Sequence, residues 1–342
     1  MKAIYSLFLV FALILLAMIG AGTLGMEYLF GVIIPYLAVL AFVVGFMLKV
    51  IGWGKSAVPF RITSTCGQGK SFPWIKENKL ENPSSTWGVI GRMFFEVFLF
   101  RSLFRNTKVE IHDGQRIAYS SSKWLWLFAI LFHYTFLVIV LRHMRFFTEP
   151  VPYPFVLLDR LDGMLQIGAP VLYISSLIIL AALFYLLLRR LLIPSMRYIS
   201  LPSDYFPLFL IIGVVITGIL MRYFLKTDIM AIKELSMGLV TFRPVTPEGI
   251  GVIFFIHLFL VSVLLFYFPI SKLMHMGGVF LSPTRNMTGN TRMVRHVNPW
   301  NYPVKVHTYD AYEDEFREKM VEAGLPVVKP LEEKSENAEN KE

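Results

Sequence analysis

One cysteine, Cys66, stands in the whole chain of 342 residues. No intramolecular disulfide can form. An iron–sulfur cluster takes about four thiolates, so the chain carries none of its own. Covalent haem attachment through Cys-x-x-Cys-His is excluded as well. Charge is scarce too. Charged residues make up 17% of the chain, where a soluble domain holds about a quarter. Hydrophobic residues reach 55%, and mean hydropathy is +0.58. Together these values exclude a soluble globular protein. The net charge of +9 does not indicate a nucleic-acid binder. Its basic residues flank apolar runs and form no patch interleaved with exposed aromatics. Basic flanks are the ordinary mark of membrane topology. The Gly67–Lys70 stretch beside Cys66 lacks the full Walker pattern and is no phosphate loop. Cys66 reads as a loop cysteine.

What the chain does have is apolar length. Six runs, at roughly 4–22, 28–50, 124–143, 169–188, 205–222 and 250–270, each approach the span of about 20 residues that a bilayer requires. Lipid offers no partner to an exposed amide, so the runs are helices. The expected fold is an all-α integral membrane protein with six transmembrane helices. The organisation follows: two N-terminal spans in 1–50, a long loop in 51–123, four spans in 124–280 and a polar tail in 281–342. The first run is longer than a signal peptide's usual apolar region of about 7–15 residues, so it is read as a retained anchor.

Lysines and arginines orient the spans. The 51–123 loop holds Lys55, Lys70, Arg92, Arg101, Arg105 and Lys123 among others, and run four ends in Arg189 and Arg190. The positive-inside rule therefore puts both termini and this loop in the cytoplasm of a multi-pass cell-membrane protein. Within the loop, Trp87 to Phe104 is apolar but interrupted by Arg92, Glu96 and Arg101. That pattern suits an amphipathic helix at the membrane surface; three charges argue against a seventh span. The 109–119 segment reads as a hairpin turning at Asp113-Gly114. A helix is expected at about 310–323, and the last eleven residues read as disordered.

Four of the seven histidines lie in or beside the apolar runs. His133 and His143 are in run three; His257 and His275 belong to run six. His112, His296 and His307 fall in aqueous segments and read as surface residues. An ionisable residue in a membrane helix is a functional candidate by default. Ten residues rise about 15 Å along a helix, and eighteen complete five turns over about 27 Å. Runs three and six are antiparallel in this topology, so His143 is expected level with His257 near the outer face, and His133 with His275 near the inner. The unequal rises require a tilt or bend, which Pro269 can supply. Two separated imidazole pairs cannot build a zinc site, which takes three or four converging ligands. They suit two six-coordinate haem irons whose other ligands come from the porphyrin. Phe132, Phe136, Phe254, Phe255 and Phe266 are the expected walls, and Arg142, Arg145 and Lys272 the expected partners of haem propionates.

The HLFLVSVLLFYFPISKLMH stretch at 257–275, after the histidines at 133 and 143, resembles the gamma (cytochrome b) subunit of respiratory nitrate reductase, the NarI family. The resemblance covers about 120–280 and implies two haems b and a quinol site by the outer one. TSTCGQGKSFPWIKENKLENPSSTWGVIGRM, FRSLFRNTK, SSKWLWL and LRHMRFFTEPVPYP resemble the DsrM (HmeC) family, over most of the chain. That likeness implies menaquinol oxidation in sulfate or sulfite respiration, with electrons delivered to a cytoplasmic iron–sulfur subunit, DsrK (HmeD), which is similar to heterodisulfide reductase. It also implies a multihaem cytochrome c, DsrJ, and the further subunits DsrO and DsrP. Glu149, Arg145 and Arg160, in and after the loop that follows His143, are the candidates for the quinol site. The alternatives are another quinone-linked cytochrome b, of heterodisulfide reductase, hydrogenase or nitrate reductase type, and a haem-free membrane scaffold.

Overall fold

The structure, a computed structural model, describes residues 1–56, 69–70, 72–105, 108–112, 116–168, 170–290, 294 and 307–330, with the backbone alone at 108, 112, 119 and 120. Cys66, the Asp113-Gly114 turn, His296 and the last eleven residues lie outside these. The chain is an all-α integral membrane protein. Helices α1 (Lys2–Gly22), α2 (Ile34–Gly54, continuing a π turn from Leu29), α5 (Lys123–His143), α7 (Ile174–Leu192), α9 (Pro202–Leu220) and α11 (Val252–Tyr267) build the six segments long and apolar enough to cross a membrane. Shorter helices lie between them: α3 (Thr86–Leu99), α4 (Arg101–Phe104), α6 (Tyr153–Asp162), α8 (Pro194–Ile199) and α10 (Ile229–Val240). After α11 come α12 (His275–Leu281) and α13 (Pro283–Asn286). Helix α14 (Tyr309–Glu322) belongs to a second compact unit that begins at Val297. Strands β1 (Lys108–His112) and β2 (Arg116–Ser120) form the expected hairpin, with His112 opposite Arg116.

Between membrane helices, hydrocarbon supplies no hydrophobic drive, so close packing must hold them together. Helix α1 meets that demand with small residues. Its buried positions are Ser6, Val10, Ala17, Gly20 and Ala21, and it packs against α9 and α11. The two N-terminal helices are therefore part of the same packed body as the later four: Val10, Phe30, Leu210, Leu235, Phe255 and Leu260 share one buried cluster. A smaller cluster joins Ile179, Leu183 and Ile211 with Phe132 and Phe136 against it. Helix α5 packs chiefly on α7, while α11 packs on α1, α2 and α9.

The 51–123 region holds the expected amphipathic helix, but its polarity is turned inward. On α3, Arg92 and Glu96 are buried, and Trp87, Ile90, Phe94 and Phe98 are exposed along one face. Helix α3 is about 21 Å long at 1.5 Å per residue, too short to cross a bilayer. Buried charges need partners. Glu96 accepts from Arg285 Nε at 2.6 Å, and from the backbone and hydroxyl of Ser102 at 3.0 and 2.8 Å. The carboxylate thereby caps α4 and ties the loop to α13. Burial alone would raise the Glu96 pKa, but the bonds from Ser102 and Arg285 outweigh it and hold the group below its ordinary value. A lowered carboxylate pKa stabilises the fold at pH above the ordinary glutamate range, and the contribution is lost as pH falls. We expect Glu96→Gln to cost about 1–3 kcal/mol at neutral pH and to flatten the acid limb of stability. An unfolding series from pH 7 down to about pH 2, below the lowered folded pKa, checks this; identical acid limbs would refute it.

Candidate functional site

Two levels of the bundle each carry a facing pair of imidazoles. The ring centres of His143 and His257 lie 6.4 Å apart with planes 12° from parallel. Those of His133 and His275 lie 5.9 Å apart with planes nearly perpendicular, at 86°. Helices α5 and α11 are thus antiparallel, and the pairs are those that level-matching of the four positions expects. The continuous helix assumed for His257 to His275 is corrected. After Tyr267 the chain tightens into 3₁₀ turns at Phe268–Ile270 and Lys272–Met274, with Ser271 extended between them, and α12 starts afresh at His275. Pro269 cannot donate to the ladder and ends the helix. Added at Gly45, a Cβ would stand 2.7 Å from the Pro269 ring, so α2 approaches closely at the break.

Each imidazole is fixed through Nδ1. His133 bonds the Ala129 carbonyl at 2.7 Å and His143 the Ile139 carbonyl at 2.7 Å, each one turn back. His275 bonds the Lys272 carbonyl at 3.0 Å. His257 meets the Thr217 hydroxyl at 2.9 Å. At His133, His143 and His275 the partner is a carbonyl, which can only accept, so Nδ1 carries the proton and Nε2 keeps the lone pair that a metal needs. The spacing fits a metal between the rings. Two metal–imidazole bonds of about 2 Å, plus about 1 Å from each nitrogen to its ring centre, give about 6 Å. Among the described residues no group of three or more His, Cys, Asp or Glu could hold a metal ion. A two-ligand site therefore needs the rest of its coordination from a macrocycle, and the residues present fit haem.

The aromatic surroundings differ in part from the expected walls. Phe132 stands 5.0 Å edge-on to His133, and Phe100 stands 4.9 Å from it. Phe100 adopts a left-handed backbone, φ 50°, a conformation that costs a side-chain-bearing residue about 1–2 kcal/mol. That turn between α3 and α4 presents its ring to His133. Phe146 lies 6.0 Å from His143. Phe254 and Phe255 instead fill the cluster shared with α1 and α2, and Phe266 is exposed.

Beside His143, the positions expected to serve a cofactor or quinol are drawn into a charged network. Arg142 is buried; it donates to Asp162, to Ser175 at 3.2 Å and to Asp159 at 3.3 Å. Arg145 also reaches Asp159, at 3.3 Å. The guanidiniums of Arg142 and Arg222 lie 3.3 and 3.7 Å from the centre of the Tyr173 ring. Two groups that close cannot share one face, so the ring is held between them. Burial pushes the Tyr173 hydroxyl pKa up, as does the bond it donates to Asp159 at 2.8 Å, so it stays protonated at neutral pH. Glu149 pairs with Lys233, whereas the ion pair of Arg145 is with Asp159. Glu149 and Lys233 line a cavity of about 500 Å³ with Asp228, Glu234 and Glu248. Arg160 is exposed on α6. At the other level, Lys272 pairs with Asp204 at 2.6 Å. Asp159, Asp162, Tyr173, Arg222 and Thr217 went unnoticed in the sequence. The one available signal was Asp159 with Asp162, three residues apart on one helical face beside a membrane run.

Comparison with known proteins identifies the family of the chain. The family described as "Nitrate reductase gamma subunit" matches residues 85–296. The "Hdr-like menaquinol oxidoreductase cytochrome b-like subunit" of Archaeoglobus fulgidus is 47% identical over 280 residues, 80% of this chain and 83% of that protein. The protein of the same description from Archaeoglobus profundus is 44% identical over 275 residues, 78% of this chain and 81% of that one. With its six spans and its facing histidine pairs, the chain belongs to the nitrate reductase gamma subunit family.

Proposed function

We infer that the chain is the cytochrome b-like subunit of an Hdr-like menaquinol oxidoreductase, with His143 and His257 holding one haem b and His133 and His275 a second. The observation that carries this reading is the pair of imidazole gaps, 6.4 and 5.9 Å, each with Nδ1 engaged and Nε2 left to ligate. Bound there, the haems supply one-electron carriage between two levels of the membrane. With both imidazoles of a pair holding one haem, no site would be left for oxygen, and the chemistry supplied would be electron transfer. The names of the two Archaeoglobus relatives support the menaquinol and Hdr-like assignments.

The finer reading places menaquinol near His143 and His257, towards the outer face. Its electrons leave at the His133 and His275 end, to a cytoplasmic iron–sulfur subunit resembling DsrK (HmeD). DsrJ, DsrO and DsrP are the companions in sulfate or sulfite respiration. Basic residues of the 51–123 loop support cytoplasmic termini in the cell membrane. Menaquinol also releases two protons. The Glu149–Lys233 cavity, with its three further carboxylates, offers them acceptors near water. Arg145, Asp159 and the protonated Tyr173 hydroxyl can orient a hydroquinone oxygen, and Arg160 stands exposed on the adjoining helix.

A haem assay and spectrum of the purified protein test this reading. We expect two low-spin haems b per chain; a ratio near zero, or a high-spin spectrum, overturns it. Ligand-plane angle splits the iron d orbitals, so planes at 12° and 86° should give two unlike electron paramagnetic resonance signals. The near-parallel pair should give the rhombic one, and the perpendicular pair the strongly anisotropic one.

A further inference from the structure

Three of the four imidazoles take their Nδ1 partner from a backbone carbonyl three or four residues back in the chain. Helix geometry supplies that partner whatever the neighbouring side chains are. His257 is different: its partners lie on another helix, α9, where the Thr217 side chain stands 2.9 Å from Nδ1 and the Val214 carbonyl also interacts with the ring. Thr217 is buried. Its hydroxyl has one proton, and two carbonyls of its own helix compete for it, Gly213 at 2.8 Å and Val214 at 3.0 Å. Either carbonyl can take the hydroxyl proton, and with the proton donated down α9 an oxygen lone pair faces His257. That lone pair accepts the Nδ1 proton and fixes which nitrogen of His257 remains basic. The next residue of α9 is Gly218, where an added Cβ would already lie 3.5 Å from the His257 ring. Backbone and hydroxyl therefore seat one imidazole between them.

We propose that Thr217 is a positioning residue for His257: by accepting the Nδ1 proton across helices it fixes the tautomer and rotation of that ring, and it sets the redox potential at the His143–His257 level alone. This rests on the haem reading above. An acceptor on Nδ1 raises the electron-donor strength of Nε2, which favours the oxidised iron. Its loss favours the reduced iron and moves the potential upward.

The test is redox titration and low-spin spectroscopy of purified wild type, Thr217→Val and Thr217→Ser. Valine keeps the shape and removes the acceptor; serine keeps the acceptor. Loss of an outer-shell partner typically weakens a metal site about 10–100-fold. We expect Thr217→Val to release the haem at one level about tenfold more readily. Its potential should rise on the order of 59 mV for each tenfold loss of oxidised-state preference. The other haem should titrate as in wild type, and Thr217→Ser should behave as wild type at both levels. Two haems in wild type, with Thr217→Val unchanged, would overturn the role of Thr217 and leave the haem reading standing. A wild type without haem would remove the haem reading, and this inference with it. If Thr217→Val does not accumulate in membranes, Thr217→Ala carries the same test. Equal shifts at both levels would mark a general packing defect and refute the proposal.

Discussion

His143→Ala and His257→Ala should each abolish the same haem, and His133→Ala and His275→Ala the other. The rings meet as His143 with His257 and His133 with His275, and an iron deprived of one axial imidazole loses half of what the chain gives it. The expected effect is a complete loss at one level, with the remaining haem still low-spin. Redox titration of the four purified variants reads this directly. If His133→Ala and His257→Ala remove the same component, the pairing is wrong. A sharper consequence concerns the entry of electrons. His143→Ala protein, with its second haem in place, should be reduced by a menaquinol analogue far more slowly than wild type. Reduction at the normal rate would place quinol oxidation at the other level.

The second large effect is expected from a residue that touches no haem ligand. Asp162 accepts the Ser175 amide at 2.7 Å and its hydroxyl at 2.6 Å, and it pairs with Arg142. Both charged side chains are below 10% exposed, so neither has water to fall back on. Removing Asp162 leaves buried Arg142 with only its longer ion pair to Asp159, at 3.3 Å; breaking a buried pair costs up to about 3–5 kcal/mol. Asp162→Ala should therefore destabilise the protein by about that amount, and Asp162→Asn by less, since the amide still accepts from Ser175. Thermal unfolding in detergent, with haem retention as a second reporter, measures both. The Asp162→Ala protein should lose the haem of the His143–His257 level first, because Arg142 adjoins His143 in the chain. An Asp162→Ala protein as stable as wild type would show that Arg142 finds other compensation.

How far the fold could be read from the sequence depended on the length scale of each signal. A membrane span is an apolar run of some twenty residues and nothing else in the chain imitates it, so all six were legible, with ends shifted by a few residues. The four histidines were legible because an imidazole is rare in such surroundings, and their pairing followed from counting levels. The break after Tyr267 was only half legible. Pro269 announced a bend, but the extended Ser271 that ends one helix and lets another begin at His275 is a property of tertiary packing. The Arg142–Asp162–Ser175 contacts join residues 13 to 33 positions apart, and no periodicity encodes them. Thr217 was invisible for the same reason: a threonine in an apolar run reads as a helix residue bonded to its own backbone, until a histidine 40 positions later is found against it.

The inward-facing charges of α3 change what kind of object the 51–123 region is. An ordinary extramembrane loop can be cut out, expressed alone or transplanted, because its greasy residues are inside and its charges meet water. Here Trp87, Ile90, Phe94 and Phe98 are outside, while Arg92 and Glu96 are inside, with Glu96 satisfied by Arg285 from nearly 200 positions away. A ribosome that has delivered only this stretch has not yet delivered the arginine that Glu96 needs. The helix must therefore wait for the last span before it takes its final place. Its sequence specifies this structure only against the rest of the bundle, which takes the charges and leaves the apolar face outward.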